Sequence, residues 1–402
     1  MTPPARQASD LDFTLPPGPG RRAKKWLLPD GPGAVRSISV AEDGTCAIAY
    51  EAPRHAPDSD CEVHVRSGPD LQAQVARYEA LRAPVALTRD GRRLAAAETV
   101  PPGSERTSPS PGVRVIEVGD GTEGVHWPLQ ALFGWTPSGE TLVALTRRPG
   151  MRPPVMSPAI PPAAVVDDLL GLERDAKARL VAADVVRAEV AALDRHRVLG
   201  GTLYQGAQLA VTGDGAVAIV HTSDYGVYSR LVGFSVATGE LVWSQPALTE
   251  KKRLFREPCR AAATSPCGRL AAFASAPGPR GRLVVRIADN ALPEDVNLTV
   301  LDTATGRVVL ALDTRELGSD KAPNALCFHP SGWLAVGFGD GRVAHVTMTG
   351  SSTVYRAVSR AISALAFTSD GARLLVGGSD PRGLCAVELT AAERNPLEQS
   401  AR

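Results

Sequence analysis

The sequence predicts an all-β protein, a seven-bladed β-propeller with one helical insertion in the third blade. Three observations support this prediction: a two-residue turn signal occurs seven times, alternating apolar residues precede each turn, and an apolar segment follows it. Such segments are typical of hairpins with a buried face. The chain has 402 residues, and closed all-β folds commonly form one unit at lengths where other chains divide.

The turn signals pair Asp, Ser or Cys with a following glycine. They are Asp43-Gly44, Asp90-Gly91, Ser138-Gly139, Asp214-Gly215, Cys267-Gly268, Ser331-Gly332 and Asp370-Gly371. The residues three and five positions before each signal are apolar in every case except Thr264. Alternation of period two that runs into a tight turn predicts a strand with one buried face. Each repeat is therefore predicted to begin with a hairpin.

Two segments show how a repeat continues beyond its first hairpin. Residues 298–312 read as a strand, a turn at Thr305-Gly306 and a returning strand, and residues 231–244 repeat this arrangement around Thr238-Gly239. Two hairpins in series form a four-stranded antiparallel sheet, and radial repetition of such sheets builds a propeller.

Two repeats, Phe328 to Val346 and Phe367 to Leu389, resemble blades of the WD40 family. The resemblance extends over Lys24 to Leu389, apart from insertions. It departs from the family pattern because the chain has no Trp-Asp dipeptide; Leu301-Asp302, Phe234-Ser235 and Val387-Glu388 occupy the equivalent positions. The resemblance implies a scaffold for protein partners. It also implies that an N-terminal strand, Lys24 to Leu28, completes the last blade.

The domain organisation follows from the extent of the repeats and from the composition of the segments that flank them. We predict one propeller over residues 23–391, a disordered N-terminal tail over 1–22 and a C-terminal tail over 392–402, because both tails are polar, charged or Pro-rich. Residues 149–198, between the third and fourth repeats, are predicted to be an insertion.

The insertion combines a Pro-rich segment with an apolar pattern of helical spacing. The apolar residues are Val165, Leu169, Leu172, Ala176, Leu180, Ala183, Val186, Val190 and Leu193. Spacings of three and four predict an amphipathic helix. We expect this helix either to dock a partner, with Leu169, Leu172 and Leu180 as candidate contacts, or to form a lid over one face, or to pack on the side of the third blade.

A second candidate binding surface is one mouth of the central channel. The residue seven positions before each turn starts the innermost strand of its blade; these residues are Arg36, Ala83, Ala131, Ala207, Arg260, Asn324 and Ser363. Arg36, Arg260 and Asn324 are therefore candidate contacts for an anionic ligand or an acidic peptide. The alternative is that they only fill space at the mouth.

Composition and motifs favour binding over catalysis. The net charge of +1 does not favour nucleic acid as a partner, and the six cysteines have no C-x-x-C spacing. The chain contains no G-x-S-x-G, H-E-x-x-H or phosphate-binding loop motif, so no cofactor, metal or catalytic residue is predicted. No apolar run is long enough to cross a membrane. Abundant Ala and Arg with scarce Lys are typical of a high-GC bacterial gene.

We therefore expect a cytoplasmic, monomeric, non-enzymatic scaffold with an unidentified protein partner. The alternative is an enzyme or small-ligand binder, similar to propeller lyases and lactonases, that uses the axial mouth. It requires several His, Asp or Glu side chains that converge at the axis.

Overall fold

The computed structural model describes part of the chain and shows an all-β structure there. The described residues are 25–27, 33–51, 61–68, 71–98, 112–127, 130–147, 178–184, 189–192, 208–224, 228–246, 254–255, 259–277, 296–379 and 383–389. Within these ranges lie 28 strands, one 3-10 helix at Thr314–Leu317 and no α-helix. The described residues include no helix with the length and apolar character needed to span a membrane.

The first strand, β1 (Lys25–Leu27), lies apart in sequence from the sheet it joins. The strands of blades 1 to 3 are β2 (Ala34–Val40), β3 (Cys46–Glu51), β4 (Glu62–Ser67), β5 (Ala73–Glu79); β6 (Leu81–Leu87), β7 (Arg93–Glu98), β8 (Val113–Glu117), β9 (Glu123–Trp127); β10 (Gln130–Trp135), β11 (Thr141–Arg147), β12 (Ala178–Asp184) and β13 (Glu189–Ala192). Within each blade, neighbouring strands pair antiparallel in chain order.

The later blades repeat this arrangement. Their strands are β14 (Gln208–Val211), β15 (Val217–Asp224), β16 (Tyr228–Ser235), β17 (Leu241–Gln245); β18 (Cys259–Thr264), β19 (Leu270–Ser275), β20 (Leu298–Asp302), β21 (Val308–Leu312); β22 (Pro323–Phe328), β23 (Leu334–Phe338), β24 (Arg342–Val346), β25 (Ser352–Arg356); β26 (Ile362–Phe367), β27 (Arg373–Gly378) and β28 (Leu384–Glu388). The described strands thus form seven four-stranded sheets.

The innermost strands arrange these sheets in a ring. β2, β6, β10, β14, β18, β22 and β26 each contact the next, and β26 contacts β2. β1 pairs antiparallel with β28, with Lys25 opposite Val387 and Leu27 opposite Cys385. The predicted closure by an N-terminal strand is therefore confirmed, as is the all-β propeller.

The hydrophobic core lies between blades. β3 and β23 are buried along nearly their whole length because another blade covers each face. One apolar cluster joins Leu298 and Val300 of blade 5 to Leu326 and Phe338 of blade 6, and similar clusters occupy other seams. Full burial on both faces explains why the second strands read as continuous apolar runs.

The turns that join the first and second strands share a backbone hydrogen bond from the glycine N–H to the carbonyl three residues earlier, and the turn of blade 2 adds bonds from its side chains. Thr88 Oγ1 donates to Asp90 Oδ1 at 2.6 Å and accepts from the backbone N–H of Arg93 at 2.9 Å, while Gly91 has a φ of 72°. The glycine of every such turn has a positive φ, a backbone conformation that is strained for residues with a Cβ but not for glycine. We call the side of the ring that carries these seven turns the turn face.

Neighbouring turns pack closely on the turn face. A Cβ at Gly91 would lie 2.9 Å from Asp43 Oδ1 of the preceding blade, and one at Gly215 would lie 2.5 Å from Pro137 Cδ. Arg89 Nη2 and Glu42 Oε1 form an ion pair at 2.5 Å across the first of these contacts. The turn face is thus a continuous tied surface over much of the ring.

The opposite side, which we call the loop face, carries the starts of the innermost strands and the connections between second and third strands. These connections differ in length from blade to blade. Six of them, at residues 52–60, 99–111, 148–177, 225–227, 278–295 and 380–382, lie outside the described residues. Blade 6 has a short turn, Gly339 to Gly341, at this place.

The predicted helix is wrong where the structure describes that segment. β12 pairs with β11, placing Leu180 opposite Leu145, and β13 pairs with β12, placing Val190 opposite Ala183. Spacings of three and four in an Ala- and Val-rich segment also contain alternation of period two, and the third blade needs two more strands to complete its sheet. Residues 149–177, 185–188 and 193–198 of the predicted insertion, and both predicted tails, lie outside the described residues.

Candidate functional site on the loop face

β-bulges mark the start of several innermost strands on the loop face. Arg36, Arg260, Asn324 and Ser363 each stand as the extra residue in the pairing of the first two strands of their blades. A bulge inserts one residue into a strand and changes the direction of its side chain. These residues occupy equivalent places in blades 1, 5, 6 and 7, so they mark one rim around the axis.

Two of the rim side chains tie neighbouring blades together. Asn324 Nδ2 donates to the carbonyl of Ile362 in blade 7 at 3.3 Å. Ser363 Oγ donates to the carbonyl of Val35 in blade 1. Between blades 4 and 5, Gln208 Nε2 donates to the carbonyl of Arg260 at 3.2 Å. Part of the polar rim therefore satisfies backbone groups of the ring itself.

The cationic rim residues have different surroundings. Arg36 forms an ion pair with Glu51 at the end of β3, and both side chains are partly exposed. Arg260 is exposed. Arg82, Lys321 and Arg360 are also exposed at or just before the starts of innermost strands. Glu51, Glu79 and Asp320 are carboxylates at the same level, so the described rim carries five cationic and three acidic side chains.

The structure places the predicted site residues in two separate groups. Arg36, Arg260 and Asn324 lie at equivalent bulges on the loop-face rim, and their proposed role in binding stays a prediction. Leu180 lies in β12 within blade 3, in a strand and not in a helix. Leu169 and Leu172 lie outside the described residues.

Metal-ligand clusters and reactive thiols are the groups we searched for in the described part of the chain. No three or more His, Cys, Asp or Glu side chains come together there in a way that could hold a metal ion. Burial raises the pKa of both Cys46 and Cys259 to about 12, so these thiols stay protonated at neutral pH.

A buried polar cluster in blade 1 was missed by the sequence analysis. Arg77 donates to Glu62 through two nitrogens, with Nε–Oε2 at 2.9 Å and Nη2–Oε1 at 2.7 Å, and His64 Nε2 lies 2.8 Å from Glu62 Oε2. Burial acts to raise the pKa of Glu62, but the hydrogen bonds from Arg77 and His64 outweigh it and lower that pKa overall. The alternating charged residues of β4 were the available signal, and only the register shows that they face a seam between blades.

The ring of seven four-stranded sheets defines a β-propeller. No protein-family model and no curated protein matches the chain. Solved structures match it over nearly its whole length. Hydrazine synthase of Kuenenia stuttgartiensis is 16% identical, with a TM-score of 0.59, and the match covers 90% of this chain and 97% of that one.

A chain of the mitotic checkpoint complex is 13% identical, with a TM-score of 0.58, and the match covers 94% of this chain and 98% of that one. At these identities the similarity shows the fold alone. One of the two similar structures is named for an enzyme and the other for a multiprotein assembly. Function therefore has to be argued from the site.

Proposed function

We propose that this protein is a non-enzymatic interaction scaffold that binds a protein partner through the loop face. The observation that carries the proposal is the difference between the two faces of the ring. The turn face repeats one tied turn from blade to blade, whereas the loop face carries connections of unequal length and an exposed rim. Binding residues occur disproportionately on variable loops that a rigid scaffold positions.

The chemistry of the described rim favours a partner segment that carries carboxylates. Arg82 and Arg260 are exposed, and a guanidinium can hold a carboxylate by two parallel hydrogen bonds. Lys321 and Arg360 extend the cationic side chains into blades 6 and 7. We therefore propose an acidic peptide segment as the part of the partner that meets the rim.

A protein of the same fold occurs in an assembly of proteins, which supports a scaffold role in general terms. One solved structure with the same fold belongs to the mitotic checkpoint complex, which is an assembly of several proteins. The similarity to hydrazine synthase shows that enzymes also contain this fold, so the proposal rests on the rim and the connections of this chain.

Two matched double variants test the proposal. Arg82→Glu with Arg260→Glu reverses two exposed charges on the loop face, and Arg269→Glu with Arg307→Glu reverses two exposed charges on the turn face. Both variants change the net charge equally. Affinity purification from the native host, quantified against the unaltered protein, and titration with a Glu-rich peptide at two salt concentrations supply the readouts.

We expect the loop-face variant to lose a specific partner and to bind the Glu-rich peptide at least about tenfold more weakly, with a reduced salt dependence. The turn-face variant should retain both interactions. Equal retention by both variants, or loss only in the turn-face variant, would contradict the proposal.

A further inference from the structure

The third strands of all seven blades have an equivalent position, and the residue type at this position in blade 1 differs from that in the other six. It is the residue paired with the start of the apolar second strand. In the other six blades this residue is apolar: Ile116, Ala183, Phe234, Leu301, Val346 and Val387. In blade 1 it is Arg66, which pairs with Cys46. The fold itself therefore does not require a cation at this place.

Arg66 is buried, with 6% of its surface exposed. Its Nη1 donates to the carbonyl of Leu71 at 3.3 Å, and its Nε finds no hydrogen-bond partner. Among the described residues no carboxylate forms an ion pair with it; the buried carboxylate of Glu62 is engaged by Arg77 and His64. Burying a charge without a partner costs several kcal/mol, so a compensating negative charge is expected.

Two further polar atoms on the same face of blade 1 are buried with hydrogen-bonding capacity that no described residue fully uses. They are the hydroxyl of Tyr50, which lies near the Arg66 guanidinium and has no acceptor for its proton, and Nδ1 of His64. The rings of Tyr50 and His64 lie 4.9 Å apart between centroids. The register places Tyr50 and Cys46 on one face of β3 and His64 and Arg66 beside them on β4. Several unsatisfied buried polar atoms in one place are rare in proteins and indicate an ion or water that completes them.

The protonation states of these groups define what the completing group must be. Burial raises the pKa of Tyr50 to about 12, against the charge of Arg66 and a hydrogen bond from its guanidinium, so the hydroxyl is neutral and keeps its proton to donate. His64 Nε2 faces the carboxylate oxygen of Glu62, which can only accept, so a ring that carries one proton holds it on Nε2 and leaves Nδ1 as an acceptor. The surroundings thus offer a cation, a second donor and one acceptor.

We infer that Arg66, Tyr50 and His64 form a buried site for a small monovalent oxyanion of the bicarbonate class, at the seam between blades 1 and 7. The anionic oxygens would accept from Arg66 Nε and the Tyr50 hydroxyl, and the hydroxyl of bicarbonate would donate to His64 Nδ1. The apolar side chains around the seam, including Ile48, Leu71, Leu375 and Leu384, exclude water and strengthen these interactions. The site does not depend on the proposed partner.

Thermal unfolding in different anions tests the site. The protein is melted at pH 7.5 and constant ionic strength in increasing bicarbonate, nitrate or chloride. A ligand that binds only the folded state raises the melting temperature with concentration, even at a tight site. We expect bicarbonate to raise the melting temperature of the unaltered protein more than nitrate, because nitrate has no hydroxyl for His64, and chloride to have the smallest effect.

The variants Arg66→Met and Arg82→Met form a matched pair that removes one buried and one exposed cation. Six blades accept an apolar residue at the position of Arg66, so Arg66→Met should fold and lose the dependence on bicarbonate. Arg82→Met should keep it. An equal response of all three proteins, or no response specific to bicarbonate, would overturn the inference.

A third variant distinguishes a bound anion from a carboxylate of the chain. Asp70 precedes Leu71, whose carbonyl accepts from Arg66. We expect Asp70→Asn to keep the response to bicarbonate. If Asp70→Asn destabilises the protein while bicarbonate has no effect on the unaltered chain, Asp70 neutralises Arg66 and the proposed site is wrong.

Discussion

The two faces of the ring are built from the same strands but differ in how their ends are joined. On the turn face, a short glycine turn recurs in every blade and packs on its neighbour in most of them. On the loop face, the connections range from a three-residue turn in blade 6 to the segment 148–177 in blade 3. The comparison indicates that the turn face maintains the ring and that the loop face is free to vary for binding.

The largest expected effect tests whether contacts between turns stabilise the ring. A Cβ at Gly371 would lie 2.5 Å from His329 Nε2, which donates to the Gly371 carbonyl at 2.9 Å. Gly371→Ala adds left-handed strain to this collision, so we expect it to lower the free energy of unfolding by about 3 kcal/mol.

Gly44→Ala is the matched control for this prediction. Gly44 has a φ of 84° with no atom within 4 Å of an added Cβ. Gly44→Ala should therefore lower the free energy of unfolding only by the backbone strain, about 1 kcal/mol. Chemical denaturation of both variants provides the comparison. Equal losses would mean that the turns are independent and that the turn face is not tied.

The second expected effect is a pH dependence of stability that arises from His345, which lies in the same blade as His329. Burial, with a smaller contribution from His329, lowers the pKa of His345 from 6.5 to about 3. The unfolded chain therefore takes up a proton before the folded one does, and stability falls as the pH drops from 6.5 towards 3. We expect a loss of about 2 kcal/mol by pH 5 from this residue.

Denaturation of the unaltered protein and of His345→Leu at pH 7 and pH 5 measures this contribution. The variant loses the interaction of His345 Nε2 with the Tyr355 hydroxyl at 3.0 Å at both pH values, so only the difference between the two pH values is informative. The slope should be smaller in His345→Leu. An unchanged slope would assign the pH dependence to other groups.

The third prediction concerns the boundary between structural and binding roles on the loop face. Asn324→Ala removes the hydrogen bond to the Ile362 carbonyl in the next blade, and it should cost about 1 kcal/mol. Arg260→Ala removes an exposed side chain and should change stability by less than about 0.5 kcal/mol. A neutral Asn324→Ala would return this residue to the set of candidate partner contacts.

Local patterns were sufficient to predict the propeller because its signals are local. An alternating strand that ends in Asp-Gly specifies a hairpin without reference to distant residues, and repetition of that hairpin specifies the ring. The segment 178–192 was misread because its Ala, Leu and Val residues fit both a helix and a pair of strands, and only pairing with β11 decides between them. Arg66 also escaped notice, since the sequence EVHVRS does not reveal that its equivalents in six other blades are apolar.

The smallest effect on stability is expected from a chemical probe of the turn face. Cys267 takes the place that Asp or Ser occupies in the other turns, and it is exposed. Burial acts to raise its pKa, but hydrogen bonds from Ser265 and the backbone of Arg269 lower it overall. Cys46 and Cys259 are buried, with pKa values raised to about 12. Since the thiolate is the reactive form, iodoacetamide at pH 7.5 should modify Cys267 before Cys46 and Cys259.

Peptide mapping by mass spectrometry identifies the modified thiol, and Cys267→Ser is the control that should remove the early product. Modification at Cys267 adds bulk at the outer side of a turn, so the melting temperature should change little while the loop-face interaction persists. Early modification of Cys46 would instead mean that the seam between blades 1 and 7 opens readily, which would place the weak point of the ring at its closure by β1.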